Sequence, residues 1–68
     1  MNIGDKHQGY KIIANVEDRF VIGHSSTALA PYVVWYLDSH NKPCAGNYFH
    51  RRKDAIADFV SRGFGYYD

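Results

Sequence analysis

The sequence predicts an α+β fold, an antiparallel three- to four-stranded β-meander with one C-terminal helix packed on one face. Three observations carry this expectation. Four short runs rich in β-branched and aromatic residues follow one another between residues 9 and 49, divided by polar turn formers. A single stretch of helical periodicity comes after them. At 68 residues the chain has room for one domain, taken as residues 1–68.

The first run, Gly9 to Glu17, places Tyr10, Ile12, Ala14 and Val16 at alternate positions, the period of a half-buried strand. Glu17 and Asp18 form a polar hairpin tip without the Asn-Gly signal. The second run, Arg19 to Ser25, contains Phe20, Val21 and Ile22, with Gly23 marking a bulge or a close approach. The small residues of 25–31 connect onward and stop at Pro31. Tyr32 to Leu37 is the strongest strand signal. Its faces, Val33/Trp35/Leu37 and Tyr32/Val34/Tyr36, are both apolar or aromatic, as in an interior strand. A polar turn over 38–43 leads to a fourth strand, Cys44 to Phe49.

The helix spans Arg52 to Arg62. Ile56, Phe59, Val60 and Gly63 fall at i, i+3, i+4 and i+7, which predicts that this stripe packs on the sheet. Gly63 suits the helix C′ position, and Arg62 suits the negative end of the helix dipole. Phe64 to Asp68 is aromatic enough to fold back on the sheet. One helix covers one sheet face, so the second face is left to the tail, to water or to a partner.

Composition excludes several classes of function. An apolar fraction of 46% argues against disorder. Eight Lys and Arg against seven Asp and Glu argue against a strongly basic polyanion binder. No apolar run approaches the length of about eighteen residues that a membrane span needs. The first residues lack the pattern of a signal peptide, so a cytoplasmic protein is expected. The single cysteine, Cys44, excludes an intrachain disulfide and fits a reducing compartment. Eleven aromatic residues must therefore stabilise a core too small for a large catalytic cleft.

Two constellations stand out. His50, Arg51, Arg52 and Lys53 begin the helix, where the dipole disfavours cations and only Asp54 compensates. This predicts a corner for phosphate or an acidic surface, with a solvated turn as the alternative. The second is the aromatic sheet strand, whose Tyr32, Trp35 and Tyr36 are the residue types that anchor interfaces and stack on bases. His40, Cys44 and His50 are spaced H-x3-C-x5-H, without the paired cysteines of a structural zinc site, so no metal or cofactor is expected. A Cys44–His nucleophile lacks an oxyanion motif, and no glycine-rich phosphate loop is present, so no catalytic residue is assigned.

The order of strands then helix is similar to the second part of a double-stranded-RNA-binding domain, with Arg51, Arg52 and Lys53 in place of its basic motif and without its first helix. A second likeness runs through Gly9-Tyr10-Lys11-Ile12-Ile13, Phe20-Val21-Ile22-Gly23, Pro31-Tyr32-Val33-Val34-Trp35, Tyr48-Phe49 and Asp54-Ala55-Ile56-Ala57-Asp58-Phe59. Over residues 9–62 the chain resembles small uncharacterised proteins of phages and conjugative elements in Gram-positive gut bacteria. That resemblance implies a mobile-element origin and a partner among host proteins, including defence or nucleoprotein complexes blocked by steric occlusion. The expected function is non-enzymatic protein binding, with Tyr32, Trp35 and Tyr36 as anchors and His50, Arg51, Arg52 and Lys53 as a charged rim. The alternatives are a small nucleic-acid-binding domain, with Arg51, Arg52, Lys53 and Lys42 on phosphate and the aromatic side chains stacked on bases, and a homodimer paired through the uncovered face or an edge strand.

Overall fold

The computed structural model describes residues 1–63. Five strands, β1 (Lys6–His7), β2 (Tyr10–Val16), β3 (Phe20–His24), β4 (Tyr32–Leu37) and β5 (Pro43–Phe49), precede one helix, α1 (Arg52–Gly63). The strands form one antiparallel sheet in the order β1-β2-β3-β4-β5. The α+β class and the meander agree with expectation, but the strand count is five. The additional strand, β1, is two residues long, too short to leave a periodic pattern. It is joined to β2 by Gln8 and Gly9, both at positive φ between the paired His7 and Tyr10. That is the backbone signature of a two-residue primed turn.

The β2–β3 tip reaches the same left-handed region without a glycine. Glu17 and Asp18 have φ of 53° and 55°, a costly conformation for both residues. Asn15 offsets it: its Oδ1 accepts the Asp18 N–H at 2.9 Å, and its Nδ2 donates to the Asp18 carboxylate at 3.1 Å. At the β4–β5 turn the Asp38 carboxylate accepts the N–H groups of His40 and Lys42 at 2.8 and 3.0 Å. Those donors hold its pKa below the usual aspartate range.

Two bulges decide which side chains share a face. The β2–β3 register shifts between Ile12 and Ala14, so the alternation expected to hold Tyr10, Ile12, Ala14 and Val16 on one side is split. Tyr10 and Ile12 join one core cluster, while Ala14 and Val16 lean on the other. The second shift lies opposite Trp35, between Val34 and Tyr36, where Ala45 of β5 takes φ 51°. An extra residue in one strand bends it, and the sheet curls accordingly.

The two clusters sit on opposite sheet faces. On the helix side, Ala55 and Phe59 of α1 pack on Ile22 and Val34, flanked by Phe20, Tyr32 and Phe49. The buried helix stripe is therefore Ala55 and Phe59. Ile56 and Val60, expected in the core, are 41% and 45% exposed. On the other side Tyr10, Ile12, Val21, Val33, Trp35 and Leu37 form a cluster against which Met1 and Ala28 pack. This second face is thus closed in part by the chain's own N-terminus and by the loop between β3 and β4. The expected fold-back of residues 64–68 lies outside the described residues.

Several bonds hold those covering segments in place. The Met1 amino group donates to Asn41 Oδ1, and the Met1 carbonyl accepts from Asn15 Nδ2. The loop is closed by the Ser25 N–H on the Pro31 carbonyl at 2.9 Å, and Tyr10 Oη donates to the Ala30 carbonyl at 2.7 Å. No helix among the described residues is long and apolar enough to cross a membrane.

Candidate functional site

Trp35 is 4% exposed and lies on the face opposite the helix. Its indole occupies space left open by two glycines. A Cβ added at Gly46 would stand 2.7 Å from Trp35 Nε1, and one at Gly23 would stand 2.9 Å from the Tyr10 Cβ and 3.1 Å from Trp35 Cζ3. His7 and Tyr10 meet the indole edge-on, with ring centroids 5.1 and 5.7 Å away. The glycine at position 23 thus marks a close approach, one of its two sequence readings. Buried in this way, Trp35 is unavailable as a surface anchor, and that expectation is corrected.

Tyr32 lies on the helix side, half-buried, with its ring 4.9 Å from that of His24. Tyr36 lies on the same side, is 42% exposed, and packs obliquely on Phe20 with centroids 5.5 Å apart. The two tyrosines are four residues apart along β4, about 13 Å. The structure therefore does not gather the three aromatics into one surface. A one-residue alternation places Trp35 through the sheet, and strand length separates the other two.

His50 and Arg51 follow Phe49, which pairs with Tyr32, so the basic helix start stands at the Tyr32 end of β4 and away from Tyr36. His50, Arg51, Arg52 and Lys53 are all exposed. The Ala55 N–H bonds back to the Arg51 carbonyl at 3.2 Å, which closes the first turn. Among the described residues no side chain caps the amides of Arg52, Lys53 or Asp54, which leaves them to solvent or a ligand. Farther along α1, Asp58 and Arg62 pair at 2.8 Å in the favourable i,i+4 order.

Cys44 is exposed, and its Sγ–H donates across the ladder to the Tyr36 carbonyl at 3.3 Å. Among the described residues no three His, Cys, Asp or Glu side chains converge as metal ligands would. On the Trp35 face the Tyr10 hydroxyl is held above the usual tyrosine range, first by burial and then by the neighbouring Tyr48. That hydroxyl serves the β3–β4 loop through its bond to the Ala30 carbonyl.

Sequence reasoning missed the apolar part of the exposed surface. Ile56 and Val60 are one helical turn apart on α1, on the same side of the sheet as Tyr36. Their spacing made them indistinguishable from core residues. The only signal against that reading was that Ala55 and Phe59 make an equally good, narrower i,i+4 stripe. No family model, curated protein or solved structure matches the chain.

Proposed function

We propose that this chain is a non-enzymatic protein-binding module whose contact surface is the outer side of α1, with Ile56 and Val60 as apolar anchors and Tyr36 as an aromatic one. The observation that carries the reading is the half-exposure of Ile56 and Val60, adjacent on a helix whose neighbouring Ala55 and Phe59 already satisfy the core. Half-exposed apolar side chains next to Arg51, Arg52 and Lys53 have the composition of an interface centre with a charged rim. The partner proposed is a host protein, including one in a defence or nucleoprotein complex, as the resemblance read from residues 9–62 of the sequence would imply. The mode of action would be steric occlusion, which asks for a stable surface and no reacting groups.

The test is affinity capture from a host lysate, with and without nuclease, comparing the native chain with Ile56→Glu/Val60→Glu. A protein partner retained after nuclease and lost with the double variant is the expected result. Undiminished capture by a double variant of unchanged thermal stability would overturn the assignment.

A further inference from the structure

The near-neutral net charge conceals an uneven distribution that only the strand register shows. Lys6 pairs with Lys11, Lys11 with His24, His24 with Tyr32, and Tyr32 with Phe49. Directly paired residues of antiparallel strands point to the same face. These five residues therefore form one row across the whole sheet, on the helix side. The row spans roughly 19 Å at about 4.8 Å per strand. Its last member, Phe49, is followed in the chain by His50, Arg51, Arg52 and Lys53, so Tyr32 and Phe49 stand between the two basic groups.

Lys6 and Lys11 are exposed, His24 half-buried, and the arginines exposed. The carboxylates nearest in sequence are Asp5 and Asp54. Three others, Glu17, Asp18 and Asp38, sit in the β2–β3 and β4–β5 turns. Those turns share the far end of the sheet, joined by the Leu37 N–H bonded to the Arg19 carbonyl at 2.7 Å. Lys6, Lys11, Arg51, Arg52 and Lys53 thus stand with Asp5 and Asp54 at one end of the strands, and Glu17, Asp18 and Asp38 with Arg19 and Lys42 at the other, a cationic excess against a slight anionic one.

We infer that this row, Lys6, Lys11 and His24 continued by Arg51, Arg52 and Lys53, binds the phosphate backbone of a single-stranded nucleic acid. The inference goes beyond the protein contact proposed for Ile56 and Val60, with which it shares Arg51, Arg52 and Lys53 but neither apolar anchor. A line of cations matches a polymer with regularly spaced charges better than it matches a compact carboxylate cluster. The row also has a step. Lys6 and Lys11 lie at the level of the sheet, while Arg52 and Lys53 belong to a helix stacked on β3, β4 and β5. A flexible single strand follows such a step, whereas a stiff duplex does not. Tyr32 and Phe49 are partly covered beside α1, so base stacking is minor and sequence preference weak.

The experiment is fluorescence anisotropy of a labelled oligothymidylate of roughly twenty nucleotides, longer than the row, titrated with the full chain across a salt series. The five Lys and Arg side chains of the row predict a slope of log affinity against log salt of about −3.5. Lys6→Glu/Lys11→Glu and Arg51→Glu/Arg52→Glu should each weaken binding about tenfold or more and flatten the slope by about 0.7 per cation lost. Arg19→Glu/Lys42→Glu, an equal change of net charge at the far end, should leave affinity within about twofold. All sites are exposed, and circular dichroism confirms the fold of each variant. Three results would overturn the inference: no binding at low salt, an equal loss in the far-end control, or a duplex of the same length bound as tightly. Tighter binding of poly-glutamate than of the oligonucleotide would also overturn it, in favour of an acidic protein ligand.

Discussion

Trp35 and its two glycines show how much a single position can decide. In the sequence, glycine at 23 and 46 weakens two strands. In the fold each supplies the space that a large indole needs. Gly46→Ala would drive a methyl group into the indole at less than van der Waals distance. Overpacking of this kind should cost about 1–3 kcal/mol, read as a lower urea midpoint. Tyr10 makes the second residue-scale prediction. Its hydroxyl anchors the β3–β4 loop through the Ala30 carbonyl. Tyr10→Phe should lower stability by about 1 kcal/mol at neutral pH. The folded-state pKa is raised, so the unfolded chain releases this proton first as pH climbs. Stability from this group is full below the ordinary tyrosine pKa and is lost as pH rises through the folded value. The alkaline decline in melting temperature should therefore be shallower in Tyr10→Phe than in the native chain.

At the scale of elements, α1 separates what a sequence shows from what packing selects. Its existence and limits were legible, because Ala55, Ala57 and the apolar spacing favour a helix over 52–62. Its buried stripe was not. Ala55/Phe59 and Ile56/Val60 are neighbouring i,i+4 pairs, and a rotation of about 100° exchanges them. The choice is made by the sheet, where Val34 and Ile22 accept one small and one large side chain. Phe59→Ala should cost about 3 kcal/mol, whereas Val60→Ser should change stability by less than about 1 kcal/mol, measured by chemical denaturation. The strands tell the same story. Tyr32–Leu37 was legible to the residue, but the faces of β2 were not, because a bulge leaves no mark in a run of β-branched residues. The turn at Glu17–Asp18 was legible as polar, while its left-handed geometry depends on Asn15, two residues earlier. The basic helix start was visible as a run of four residues. Its extension to Lys6 and Lys11 depends on register, which no local pattern reports.

For the whole molecule, the two-sided aromatic sheet raises the question of what covers its second face. The chain itself covers part of it: Met1 and Ala28 pack there, and the bonds of Asn15 and Tyr10 hold their segments down, while Tyr48 stays half-exposed. Exposed apolar side chains then remain at Ile56 and Val60 on the outside of α1, and elsewhere at Ile3, Leu29 and Tyr48. Trp35 is enclosed by Gly23, Gly46, His7 and Tyr10 and therefore cannot serve as a contact, which leaves the binding role to other side chains. Trp35 is the only tryptophan, so its fluorescence reports on this point alone. Iodide quenching of the native chain should be far weaker than in denaturant, with a blue-shifted emission maximum. Quenching of the folded protein as efficient as that of the unfolded chain would contradict the account.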